Sequence, residues 1–116
     1  MSDLNVRAIY FESCHEDGFF QKFGRNQIDL EAFNRLINAI TTYGENVESS
    51  RQIDRLVIAC LIDMPYMIAN AADHFRALGA SPEVDLKRLS ADLLDAMATM
   101  TGRGLNAYFE DFKELE

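Results

Sequence analysis

Apolar side chains recur every three or four residues over most of the chain, the spacing that places them on one face of an α-helix. The clearest stripe begins after Asp29, a suitable N-cap, and ends before Gly44, which can close a helix in the left-handed conformation. This pattern predicts an amphipathic helix over 29–43. Its apolar positions are Leu30, Phe33, Leu36, Ile37 and Ile40.

A second and longer stripe runs from the cap candidates Ser49 and Ser50 to Gly79. A straight helix over 50–78 would be about 43 Å long at a rise of ~1.5 Å per residue, whereas a globule of this size has a radius of gyration near ~13 Å. Pro65 resolves the conflict, because its ring clashes with the carbonyl four residues back and it lacks an N–H. The sequence therefore predicts a kink around 63–65, as one bent helix or two helices.

The C-terminal third predicts two more helices. Ser81, Pro82 and Glu83 form a start signal, with a hydroxyl cap, a proline at the first helical position and an acid that suits the helix dipole. The stripe that follows continues to Gly102. A last stripe over 105–115 comes after a short connection, which favours an antiparallel neighbour on the same core.

The first 28 residues have a weaker pattern. Residues 4–11 fit a strand or a helix, but the chain holds no second strand to pair with, so a short helix is favoured unless two copies pair strands across a dimer axis. Residues 14–28 fit a loop with one helical turn. We therefore expect one domain over 1–116, an all-α compact bundle of four to five helices kinked at Pro65, with 1–28 less regular and 29–116 as the helical core.

Composition narrows the class of protein. The chain has 116 residues and a net charge of -8, so its field repels nucleic-acid phosphates and anionic membranes. The longest uninterrupted apolar run, 56–62, is far shorter than the ~20 residues of a membrane span, and the N-terminus has no signal-peptide pattern. We expect a soluble cytoplasmic protein that binds neither nucleic acid nor membrane.

Candidate chemistry is sparse. Cys14, His15, Glu16 and Asp17 are potential metal ligands, but consecutive side chains cannot all converge on one ion. The two histidines, His15 and His74, could in principle activate Cys14, yet no rigid element supports such a site. We predict no catalytic residue, no metal site and no cofactor. Cys60, inside an apolar run, is interpreted as a small buried hydrophobe, and two cysteines suit a reducing compartment.

Asp63 and Pro65 mark a candidate functional kink. In one interpretation Asp63 faces water or caps the helix that begins near Pro65. In the other it is a partly buried carboxylate paired with Arg55 or Arg35, beside a ligand pocket at the kink.

Phe19, Phe20 and Phe23 stand with Tyr10 and Phe11 in a segment of weak regular structure. They either form a lid over one end of the bundle or an exposed patch that binds a partner. On the second interpretation, Phe19, Phe20 and Phe23 are the predicted partner-binding residues.

Three hypotheses about function follow. The leading one is a non-enzymatic helical interaction or regulatory module that acts as a homodimer or binds another protein, because residues 56–62 are apolar on every side and need cover. The second is a binder of an apolar small molecule or cofactor between helices; the third is an acidic antitoxin, immunity protein or inhibitor. In the second hypothesis, the cavity is lined by phenylalanines and by Met64, Met67, Met97 and Met100.

Overall fold

A computed structural model describes residues 3–48, 50, 52–77, 84–102 and 108–116. Within these ranges every regular element is helical, so the predicted all-α class is confirmed, and five of the α-helices have seven or more residues. In chain order the elements are α1 (Leu4–Cys14), α2 (Phe19–Gly24), α3 (Leu30–Asn46), α4 (Arg55–Leu61), α5 (Met64–Ala77), α6 (Leu86–Ala98), a 3-10 helix (Thr99–Thr101) and α7 (Phe109–Lys113).

Four of these helices begin behind an aspartate whose carboxylate accepts a hydrogen bond from a backbone N–H of the first turn. At α3 the Oδ1 of Asp29 lies 3.0 Å from the backbone nitrogen of Ala32, which confirms this predicted N-cap. That backbone hydrogen bond, followed by one from the Lys22 ammonium group, holds the pKa of Asp29 below its ordinary value. The capping residues are Asp3, Asp29, Asp54 and Asp85.

The start of α4 differs from the prediction. Ser49 lies outside the described residues, and Ser50 precedes the helix without capping it, because α4 begins only at Arg55, behind Asp54. The backbone N–H of Asp54 donates a hydrogen bond of 2.8 Å to the hydroxyl of Tyr43 on α3. A contact between helices therefore fixes where α4 begins.

The N-terminal segment is more regular than expected. Residues 4–14 are helical rather than extended, which agrees with the favoured interpretation, and α2 supplies the predicted helical turn. The segment also contributes to the core, because α1 packs against α3 and α4 and buries its own apolar residues there. Ile9, Phe19 and Phe23 belong to the same core cluster as residues of α3 to α6.

Gly44 does not end α3, which continues to Asn46. The glycine is instead a contact point, because a Cβ there would lie 2.7 Å from Oγ1 and 2.9 Å from the carbonyl oxygen of Thr99. Its lack of a side chain lets the 3-10 helix approach α3 closely. The glycine that does stop a helix in the left-handed region is Gly102, at a φ of 70°, where the sequence predicted the end of that stripe.

The kink at Pro65 is confirmed. Ile62 and Asp63 separate α4 from α5, and Pro65 has no N–H to donate to the carbonyl of Leu61. The carbonyl of Pro65 itself accepts a 2.8 Å hydrogen bond from the buried hydroxyl of Ser90 on α6. Since α5 packs most extensively on α6, this bond holds the bend where the two helices meet.

The structure gives different outcomes for the two helices predicted in the C-terminal third. Residues 81–83 lie outside the described part of the chain, and the described helix begins at Leu86 with Asp85 as its cap. The last helix, predicted over 105–115 as part of the core, is described only for Phe109–Lys113 and buries none of those residues. The expectation that it shares the core is therefore wrong for its described part.

The chain is flat and elongated. Its Cα atoms extend 54 × 31 × 18 Å with a radius of gyration of 15.9 Å, against ~13 Å for a compact globule of about this length. Such a shape leaves helix faces uncovered.

Among the described residues one segment, Arg55–Ala77, is long and apolar enough to cross a membrane. Its most apolar window has a mean hydropathy of 1.4, and 28% of that window is buried; the core helix of a soluble protein can pass the same test. The structure is compatible with a soluble protein.

Replacing Gly44 with alanine should lower the free energy of unfolding by roughly 1–3 kcal/mol, because the new methyl group meets backbone atoms of Thr99 that no rotamer change can move. Gly24→Ala is the matched control: a Cβ there meets nothing within 4 Å, so this variant should gain up to about 1 kcal/mol. Urea denaturation of both variants measures the difference. Equal stabilities would contradict the close approach at Gly44.

Candidate functional site

A pocket of about 350 Å³ opens between α2 and α5. Its wall is largely apolar, and its rim carries the polar side chains of Gln21, Asn26 and His74. Nε2 of His74 on α5 lies 3.2 Å from Oδ1 of Asn26, two residues beyond the end of α2, so a hydrogen bond closes the mouth of the pocket. Small-ligand pockets typically combine an apolar wall with a few such polar groups. The apolar lining consists of Phe20, Phe23, Met67, Ala71 and Phe75.

The three phenylalanines predicted to bind a partner occupy different environments. Phe19 is completely buried, with its ring centroid 5.1 Å from that of Phe33, so it is unavailable to a partner. Phe23 is also buried and meets the Phe75 ring edge-on at 6.3 Å. Phe20 is partly buried and contributes to the pocket wall. The structure thus corrects the picture of an exposed patch: two of the three rings are core, as the lid interpretation had it.

The charge at the kink faces water. Asp63 is exposed, so the interpretation that pairs it, partly buried, with Arg55 or Arg35 is wrong. Pro65 next to it is buried under α6. Arg35, one of the two suggested partners, instead contacts a different carboxylate.

That carboxylate belongs to Glu12 on α1, whose side chain is only 4% exposed. Its Oε1 accepts a hydrogen bond of 3.2 Å from the backbone N–H of Phe19, and its Oε2 accepts one of 3.1 Å from Nε of Arg35. The group therefore caps α2 and binds α3 at once. The sequence did not predict this role of Glu12. The signal that could have indicated it is the position of an acidic residue three places after Ile9, on the face of α1 that is buried.

The two histidines lie in different surroundings. His15 stacks on Phe11 at 4.5 Å, and its Nδ1 accepts a 3.1 Å hydrogen bond from the backbone of Asp17. His74 lies at the pocket rim. No group of three or more His, Cys, Asp or Glu side chains within that part of the chain could hold a metal ion.

The four methionines do not line one cavity. Met67 borders the pocket between α2 and α5, while Met100 borders a second cavity of about 350 Å³ beside α7. Met64 lies in the core and Met97 packs partly buried against it. Met67 and Met100 therefore border two different cavities, and the four methionines do not share one site.

A band of large apolar side chains is exposed around the kink. Val57 and Leu61 are buried as expected, but Leu56, Ile62 and Tyr66 are 61%, 64% and 74% exposed. Met67, also exposed, connects this band to the pocket. We call the surface of Leu56, Ala59, Ile62, Tyr66 and Met67 the kink face.

Comparison with known protein families, with curated proteins and with solved structures finds no match to this chain. The indications of function therefore come from the geometry of the pocket between α2 and α5 and of the kink face.

Removing the Glu12 carboxylate should destabilise the protein. Glu12→Ala leaves the buried N–H of Phe19 without its acceptor and should lower the free energy of unfolding by roughly 1–3 kcal/mol. Glu12→Gln retains an acceptor oxygen and should lose less. Glu16→Ala, which removes the same charge from an exposed position, is the control, with chemical denaturation as the measurement. If Glu12→Ala and Glu16→Ala unfold alike, the carboxylate does not join these helices.

Proposed function

We propose that this protein is a non-enzymatic helical interaction module and that its kink face binds a second copy of the chain. The supporting observation is the exposure of Leu56, Ile62 and Tyr66 on the most apolar segment of a flat molecule. Contiguous apolar surface of this kind marks interaction sites on soluble proteins. A symmetric dimer is the commonest way for a single chain to cover such a face.

The segment 55–63, which comprises α4 and the two residues after it, is self-complementary about Ala59. If two α4 helices cross antiparallel at this small, exposed residue, each position pairs with the one equally far on the other side of it. Leu56 then meets Ile62 of the second copy, and Arg55 meets Asp63. An apolar pair and an ion pair therefore each form twice, once on either side of the axis.

The charges on this face suit such a contact. Arg55 and Asp63 are exposed, and neither forms an ion pair within the described part of the chain. They contribute one positive and one negative charge, so the face is locally neutral although the chain carries -8. Repulsion between charges elsewhere on the two copies is screened beyond a Debye length of ~8 Å at physiological salt.

Charge reversal tests this arrangement. Arg55→Glu places two like charges at each end of the contact and should weaken dimerisation by about tenfold, and Asp63→Arg should do the same. The double variant restores opposite charges and should dimerise as the wild type does. Sedimentation velocity over a range of protein concentrations measures all four proteins.

Lys87→Glu is the matched control, because Lys87 is exposed on α6 and its reversal changes the net charge as Arg55→Glu does. It should leave the dimer unchanged. A wild-type chain that stays monomeric at every concentration would overturn the proposal, as would a double variant no better than the singles. If the chain is monomeric and co-floats with lipid vesicles, the kink face binds a membrane rather than a second copy.

A second candidate function is supported by the pocket between α2 and α5. Its volume of about 350 Å³ and its lining by Phe20, Phe23 and Phe75 fit a small apolar ligand, with the pair His74 and Asn26 available to a polar group at the rim. This is the apolar-binder hypothesis with a lining of phenylalanines, as predicted, and with Met67 alone of the four predicted methionines.

Filling the pocket tests the second candidate. Ala71→Phe puts a ring into the space and should abolish the fluorescence increase of 1-anilinonaphthalene-8-sulfonate that the wild type is expected to produce. Ala91→Phe adds the same ring at an exposed position of α6 and is the control. Dye binding retained by Ala71→Phe, or absent from the wild type, would exclude this pocket as a ligand site.

A further inference from the structure

The two cysteines of the chain lie in neighbouring helices. Cys14 is the last residue of α1 and is exposed, while Cys60 is on α4 and partly buried. These helices pack directly against each other. Because Val6, Tyr10 and Cys14 are four residues apart, they share one face of α1. Val6 and Tyr10 line a groove of about 230 Å³ together with Cys60. Cys14 lies one helical turn beyond Tyr10 on this face, near enough to Cys60 to influence the pKa of its thiol.

The two thiols differ in environment. Burial, and after it the neighbouring Cys14 thiol, raises the pKa of Cys60 to about 11. Cys60 is therefore a weak nucleophile near neutral pH, since the thiolate is the reactive form. Cys14 is open to solvent at the end of its helix. A small oxidant reaches Cys14 first, with Cys60 positioned behind it.

We propose that Cys14 and Cys60 form a reversible thiol–disulfide site that reacts with low-molecular-weight disulfides such as oxidised glutathione. The thiolate of Cys14 attacks one sulfur of glutathione disulfide; a mixed disulfide forms and one glutathione thiolate leaves. The thiolate of Cys60 then attacks the Cys14 sulfur and expels the second glutathione. Both protein thiols lose their protons, the protein pair is oxidised by two electrons, and glutathione disulfide is reduced to two thiols.

The resulting bond would join α1 to α4. These helices are in contact, although α2 and α3 lie between them in the sequence. The bond closes a long loop in the unfolded chain, which favours the folded state by restricting the unfolded one. Oxidation would thus stabilise the bundle, and a reducing environment would reverse it.

Intact-mass measurement after incubation with oxidised glutathione tests the proposal. The wild-type monomer should lose the mass of two hydrogen atoms, and peptide mapping without reductant should find Cys14 linked to Cys60. Cys60→Ser should stop at a persistent glutathione adduct on Cys14. Cys14→Ser should remain unmodified over the same period, because Cys60 is half-buried with a raised pKa.

The pH dependence of the second step is a further readout. If the wild-type mixed disulfide is formed at low pH and then moved to higher pH, glutathione release should speed up by about tenfold per pH unit over the neutral range. In this state Cys14 is no longer a free thiol, but burial still raises the pKa of Cys60, and below that pKa the thiolate fraction rises about tenfold per pH unit. Disulfide-linked dimers, a stable adduct on Cys14 in the wild type, or first modification at Cys60 would each overturn the proposal.

Discussion

The carboxylate of Glu12 joins the first three helices of the protein. It is almost completely shielded from water, and it receives the first N–H of α2 and the guanidinium of Arg35 on α3. A buried charge is tolerable only with such partners. Gly18 makes the geometry possible, because a Cβ at that position would collide with the carbonyl of Phe11. The turn after α1, the start of α2 and the position of the aromatic core all follow from this one acceptor.

The features that the sequence predicted correctly are those decided by near neighbours in the chain. Helical stripes, the Asp29 cap, the stop at Gly102 and the kink at Pro65 each depend on residues within about one or two helical turns. A carboxylate three residues before an N–H, or a proline four residues after a carbonyl, acts the same way in many tertiary contexts. These local rules were enough to establish the all-α class.

The errors concern contacts between residues far apart in the chain. Gly44 looked like a helix stop because the sequence does not show that Thr99 packs against it. Arg35 was a candidate partner for a buried acid, but the acid is Glu12 rather than Asp63. Two features of the candidate sites could not be predicted for the same reason. How whole helices pack decides which aromatic rings enter the core, and it places Cys60 beside the end of α1.

The hydrogen bond from Ser90 to the carbonyl of Pro65 cannot form until α6 has been synthesised, and this delay has a consequence on the ribosome. The apolar segment Arg55–Ala77 emerges before α6, the helix against which its second half packs. During that interval the nascent chain presents the insertion machinery with a stretch of membrane-like composition. Asp63, near its middle, adds about 2.5–3.5 kcal/mol to the cost of insertion. The Asp63 side chain, which is exposed in the folded bundle, thereby opposes membrane insertion in the interval before α6 is made.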